Sequence, residues 1–178
     1  MNPNRPLLKT LLRLTLALGG VVFAALGLID QGLRTAAAPQ GIVSFELCAY
    51  GSRCGAILHA WSPHARDLAL LSLGIDYLFM LLYPGAICLA LLLARARTPG
   101  RARAVTGMLA GLIWLAALAD ATENFSLIQM TLAADVRVWA WPATVAATVK
   151  FAVFGVALAW LAAVYWRYPA PNHALDAA

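Results

Sequence analysis

Four apolar runs, each near or above the roughly 20 residues that a helix needs to cross about 30 Å of hydrocarbon, constrain this chain more than any other feature. They fall at about 11–31, 65–94, 105–132 and 142–166. A lipid-exposed backbone must pair its own N–H and C=O groups, so runs of this length and spacing are expected to be helices. The fold class that follows is all-α: a polytopic membrane protein, an antiparallel bundle of four transmembrane helices with a structured outer loop over 32–64, forming a single membrane domain over 1–178. Composition agrees, since 62% of the 178 residues are hydrophobic and 12% charged, where a soluble domain carries about 25% charged residues. No internal repeat, low-complexity tract or separate soluble domain is evident.

The first run resembles a signal peptide, with Arg5, Lys9 and Arg13 ahead of it. The stretch from Leu14 to Ile29 is long, however, and Ala36–Ala38 lies well past the usual cleavage distance, so a retained helix is expected. Arg5, Lys9, Arg13, Arg95, Arg97, Arg101, Arg103 and Arg167 fall on one side of a four-pass topology, against Arg34, Arg53, Arg66 and Arg137 on the other. The positive-inside rule then places both termini in the cytoplasm of a bacterial inner membrane. The net charge of +5 is thus a topology signal and a contact with anionic lipid, not a sign of nucleic acid. The bilayer is the expected partner, with a homo-oligomer or a second membrane protein as further candidates.

Local punctuation supports these boundaries. Ser62-Pro63 reads as an N-cap and first-turn proline, Thr98-Pro99-Gly100 as a break, and Trp141-Pro142 as the opening of the fourth helix. Tyr83-Pro84-Gly85 predicts a kink or local unwinding inside the second. Trp61, Trp139, Trp141, Tyr165, Trp166 and Tyr168 fall near span ends, where interfacial aromatics gather.

The outer loop contains GIVSFELCAYGSRCGAILHAW, apolar enough to be expected to fold against the bundle. Cys48 and Cys54 lie six apart on the side expected to be oxidising, which predicts a disulfide. Cys88 stands alone, as a packing residue. His59 and His64 are assigned to the loop and His173 to the tail, so no histidine is expected within a span and a haem held by paired imidazoles is disfavoured. His59 and His64 with Cys48 and Cys54 match no strong zinc spacing. Without a phosphate-cradling Gly-Lys loop either, no cofactor and no metal is expected.

ADATENFSLIQ, residues 119–129, breaks the apolar rule, because Asp120, Glu123 and Asn124 lie inside a span. Counting 1.5 Å per residue, Asp120 sits near mid-bilayer, with Glu123 and Lys150 roughly 7 Å and Asp76 roughly 5 Å toward the outer side. Asp120, Glu123, Asn124 and Leu127 follow i, i+3, i+4, i+7 spacing and share one stripe; Asp76, Phe79, Met80 and Tyr83 form another, with Tyr77 one position round. Charged groups in lipid are costly, so both stripes are expected to face inward, with Glu123 paired to Lys150. Three carboxylates then outnumber one ammonium. Protonation, a bound cation or cationic ligand, or a water-filled cavity open to the outside would each relieve the excess.

GIVSFEL, DYLFMLLY at 76–83, DATENFSL at 120–127 and VKF at 149–151 together resemble an uncharacterised group of bacterial four-pass membrane proteins. The likeness covers most of the chain beyond the first helix. It implies topology and compartment, and that Glu46, Asp76, Asp120, Glu123, Asn124 and Lys150 belong together; it implies no reaction, and the two loop cysteines are not part of it. In topology alone the chain is also similar to claudin-like proteins, without their Trp-Gly-Leu-Trp-type signature.

Three readings follow. The first is an outward-facing pocket for a small cationic or polar ligand or a proton, in a receptor or transport element, with Asp76 and Asp120 as binding carboxyls, Glu123 and Lys150 positioning them, and Asn124, Tyr77, Tyr83 and Glu46 around them. The second is a membrane enzyme acting on a lipid or sterol-like substrate with Asp120 or Glu123 as acid or base, which requires a lateral apolar opening. The third is an assembly subunit in which the polar groups only join helices.

Overall fold

The structure, a computed structural model, describes residues 5–169; His173 lies outside that range. Every regular element among the described residues is helical. Four helices are long and apolar enough to cross a membrane: α1 (Arg5–Asp30), α4 (Pro63–Arg95), α5 (Gly100–Thr131) and α6 (Val136–Arg167). Two short helices, α2 (Ile42–Glu46) and α3 (Cys54–Ala60), lie between α1 and α4, with 3-10 turns at Gln31–Leu33 and Cys48–Gly51.

All four long helices are longer than the expected spans, and side-chain caps rather than hydropathy set the starts of α4 and α6. Ser62 caps α4, its side chain accepting from Ala65 N, with Pro63 at the first helical position as expected. The Thr98-Pro99-Gly100 break also holds, leaving a link of residues 96–99. Arg95, Arg101 and Arg103 therefore sit in helical end turns rather than in that link. The fourth helix departs from expectation: α6 starts at Val136, where the Asp135 carboxylate accepts from Arg137 N at 2.9 Å, and Pro142 falls inside it. Pro142 lacks the N–H that would donate to the carbonyl of residue 138, and α6 continues through it nonetheless. Pro84 likewise lies within an uninterrupted α4, so the expected unwinding does not occur. His64, assigned to the loop, is in the first turn of α4 and exposed.

The helices pack in sequence, α1 on α4, α4 on α5 and α5 on α6, with a smaller α4–α6 contact. α1 scarcely meets α6 and buries only Val22, so it clings to the bundle chiefly through α4. Two apolar cores result. One gathers Leu33, Phe45, Ile57 and Trp61 of the α1–α4 connection against Leu73, Leu127 and Ala143. The other joins Leu91, Ile113, Ala157, Leu161 and Val164 at the far end. Asp76 of α4, Asp120 and Glu123 of α5 and Lys150 of α6 lie between these cores.

The connection folds onto the bundle, as its apolar content predicted. Phe45 meets Trp61 edge to face at 5.0 Å, and Trp61 Nε1 donates to Leu33 O at 2.8 Å. Trp61 is thus buried, at 3% exposure, and not the interfacial residue expected; its N–H finds a partner only inside. Cys48 and Cys54 form the expected disulfide, which consumes both thiols of the zinc alternative. Gly41 has φ +56°, and a Cβ there would overlap the Asp30 carboxylate, whose Oδ1 accepts from Ile42 N at 2.7 Å.

Candidate functional site

Between the two cores, α5 presents Asp120, Glu123, Asn124 and Leu127 on one inward stripe, each 0–1% exposed. The helical spacing read from the sequence therefore describes one packed face. α6 brings Lys150 opposite it, at 8% exposure. The Lys150 Nζ donates to Glu123 Oε1 at 2.9 Å and to Asp120 Oδ1 at 3.2 Å. Glu123 Oε2 is 2.8 Å from the same nitrogen yet off the hydrogen-bonding direction, so the pairing at that oxygen is electrostatic.

A third carboxylate arrives from outside the long helices. Glu46 ends α2, and its Oε2 lies 3.7 Å from Lys150 Nζ. Thr144 of α6 holds it there: the hydroxyl donates to Glu46 O at 2.8 Å and accepts from Ala49 N at 3.2 Å. The Cys48–Cys54 bridge closes the next turn, and Tyr50 OH meets Thr148 Oγ1 at 2.8 Å. Burial pushes the Glu46 carboxyl above its ordinary value, the Lys150 ammonium opposing that shift and Asp76 adding to it. Asp76, on α4, is served differently, accepting from Asn124 Nδ2 at 2.8 Å.

Four carboxyls and one ammonium thus share one layer, where ionisation of all four would leave three negative charges without a counter-charge. A low-dielectric interior resists that excess strongly. Three buried oxygens around this layer make no hydrogen bond within the chain: Tyr83 OH, and Glu46 Oε2 and Glu123 Oε2, which meet Lys150 by charge alone. Unsatisfied buried polar atoms are rare and cost about 1–3 kcal/mol each.

These groups surround a cavity of about 880 Å³, within the range of sites that take small molecules. Its polar wall is Glu46, Asp76, Asp120, Asn124, Lys150 and Tyr83. Its apolar walls include Leu26, Phe79 and Phe154, and Asp30, Arg34 and Gln40 lie toward the α1–α4 connection. Glu123 does not line it; this residue sits behind Lys150 and acts through that ammonium. Tyr77 does not line it either. One position round α4 is 100° away from Asp76, and the Tyr77 ring is 39% exposed on another face, so its assignment to the site is corrected.

Of the residues named from the sequence, the structure gathers Glu46, Asp76, Tyr83, Asp120, Glu123, Asn124 and Lys150. Sequence reasoning missed Thr144, which anchors Glu46, and the Phe23 and Phe154 walls. Glu46 itself had one local signal, a lone acid in an otherwise apolar loop segment. Phe79 falls on the inward stripe of Asp76 that the helical repeat defines, whereas Phe23 and Phe154 had no signal, being phenylalanines in apolar helices. Among the described residues no group of three metal-ligating side chains is placed to hold an ion. Comparison with protein-family models, curated proteins and solved structures finds no match for the chain.

Proposed function

We propose that this chain is a multi-pass protein of a bacterial inner membrane, its four long helices antiparallel and both termini cytoplasmic, and that its polar chamber binds a small ligand bearing a cationic or hydrogen-bonding group. Such a site serves a receptor or a transport element. The observation that carries this reading is the coincidence of a cavity with an excess of acid: Glu46, Asp76 and Asp120 reach the chamber, and the single ammonium of Lys150 is already shared among three carboxylates. A cationic group, or a proton, supplies the missing charge. In this reading Asp76 and Asp120 contact the ligand, Lys150 and Glu123 hold Asp120 in place, and Glu46 forms the side of the chamber nearest the connection.

A network that only joined helices would be expected to close its polar groups on one another and leave no room. The separation of α1 from α6 favours, as a second reading, a membrane enzyme that takes a lipid or sterol-like substrate sideways. Asp120 is then the acid or base, because Glu123 has no access to the chamber.

Two measurements on one variant test the leading reading. In wild type, a water-soluble carbodiimide should modify Glu46, Asp76 or Asp120, and tetramethylammonium should protect them. Asp120→Asn should keep the fold, since the amide oxygen still accepts from Lys150, while the protection is lost. Carboxyls that stay unmodified at every pH, or an Asp120→Asn protein that loses its fold, would count for the helix-joining role instead.

A further inference from the structure

Next to the polar chamber lies a second hollow of about 320 Å³, predominantly apolar, between α1, α4 and α6. Leu16, Gly19 and Gly20 of α1, Leu82 and Ile87 of α4, and Leu158 of α6 line it. The two hollows share Phe23, Phe79, Tyr83 and Phe154. These rings follow one another across the helices, with centroids 5.9 Å apart from Phe23 to Phe79, 5.4 Å from Phe79 to Tyr83 and 5.7 Å from Tyr83 to Phe154. They form a common aromatic wall at the junction. From Lys150 at the polar end to Leu158 at the apolar end is eight residues of α6, roughly 12 Å.

The trough is also open along its side. α1 and α6 scarcely meet, and Leu16 and Phe23, which face it, are 56% and 65% exposed. A polar chamber at one end, an apolar trough at the other and a long lateral gap between two helices make a shape with a head and a tail.

We infer that the ligand of the chamber is a single-chain amphiphile with a cationic head, the head lying among Glu46, Asp76 and Asp120 and the alkyl chain running through the trough between α1 and α6. This rests on the reading of the chamber as a ligand site and names the class of ligand. A purely water-soluble cation would use the chamber and leave the trough empty. A neutral lipid would fill the trough and leave the excess acid unmatched, with Glu46 Oε2 still lacking a donor.

The two parts of such a ligand contribute differently. Lipid tails are as apolar as the trough walls, so a chain moving from bilayer to trough gains little free energy. The chain therefore determines the route and the orientation, and the head supplies the selectivity. The ion pair it makes forms in a water-poor setting, where the attraction is stronger than at a surface and an unpaired head or acid is costly. Head-group discrimination and chain location, rather than a steep dependence on chain length, are what this arrangement predicts.

The test uses the full chain in lipid nanodiscs and dodecylamine carrying a diazirine near its chain end. After irradiation, adducts mapped by mass spectrometry are expected at residues 16–23 of α1, 82–87 of α4 and 154–158 of α6, and excess unlabelled dodecylamine should remove them. Gly20→Trp and Leu158→Trp should each abolish the trough adducts. Gly20 lines the trough and a Cβ there meets nothing within 4 Å, so the larger ring displaces no packed neighbour, and two variants on different helices guard against one that fails to fold. A butylamine diazirine reports the chamber separately, labelling near Glu46, Asp76 or Asp120 in wild type and in both variants. Dodecylamine adducts scattered over the outer helix faces, equal trough labelling by the matching dodecanol probe, or trough labelling that survives both Trp variants would overturn the amphiphile while butylamine labelling keeps the chamber. Absence of butylamine labelling in wild type overturns both.

Discussion

At the scale of single residues, Lys150 is the pivot, one ammonium within 4 Å of three carboxylates contributed by α2 and α5. Replacing it with Met keeps the volume and removes the charge, leaving the acids buried without a cation. Breaking a buried pair from one side typically costs about 3–5 kcal/mol, so Lys150→Met should lower stability by that order in a detergent-solubilised unfolding series. A loss under about 1 kcal/mol would mean that the acids are already neutral or hydrated. Glu46 gives a pH prediction with a definite sign. Burial raises its folded-state value above the ordinary one, so its contribution to stability is fully present below the ordinary glutamate value and is lost as pH rises through the raised one. Wild type should therefore lose stability over that interval, and Glu46→Gln, which cannot ionise, should flatten the slope. An unchanged slope in the variant would assign the effect to another group.

At the scale of elements, the α1–α4 connection decides where Glu46 ends up. α2 has only five residues, too few to persist alone, and is held by what surrounds it. The Asp30 carboxylate meets its first backbone N–H, Thr144 anchors its last residue, and Phe45 enters the core beside Trp61. Gly41 permits the turn between Asp30 and Ile42, having φ +56° and no room for a side chain. Gly41→Ala combines backbone strain with a steric overlap, and such sites cost about 1–3 kcal/mol. Because the damage falls on the connection, the variant should expose Glu46 to carbodiimide more than wild type while the four long helices keep their circular dichroism. Equal modification of the two proteins would separate the turn from the site.

At the scale of the whole molecule, the helices form a chain of neighbours whose first member is attached by one face. α1 shares a seam with α4, where Gly19 faces Leu82 and Gly85 faces Thr15 with room for a methyl group at either glycine. The remaining apolar surface of α1, including Leu14, Val21 and Leu28 at 62–70% exposure, needs an apolar solvent. The proposed topology puts the connection, with its disulfide, outside the cell membrane. Cys48 and Cys54 are buried, so the readout is a cysteine at the exposed His59: in intact spheroplasts a membrane-impermeant maleimide should label His59→Cys. Labelling that requires permeabilised membranes would invert the orientation.

Much of the architecture was legible in the sequence because it depends on quantities that local order carries. Run length and hydropathy identify α1, α4, α5 and α6, and the helical repeat aligns Asp120, Glu123 and Asn124 on one face whatever packs against them. The cost of isolated charge in an apolar segment pointed from Asp120 and Glu123 to Lys150, and the structure brings them within hydrogen-bonding distance. Helix ends were less legible. The Asp135 cap starts α6 more than a turn before Pro142, so the proline lies inside the helix rather than opening it.

What only the tertiary structure decided is which groups face the empty space. The helical repeat sets Tyr83 on the stripe of Asp76 and Tyr77 one position round, but only the rotation of α4 against α5 decides that the one forms chamber wall and the other stays outside. The same packing hides Glu123 behind Lys150, brings Glu46 across from a different segment, and leaves α1 apart from α6 so that a trough remains. Apolar pattern and helical period are properties of a segment and its neighbours in the chain; a cavity is made by what distant segments fail to fill, and its shape follows from their mutual packing.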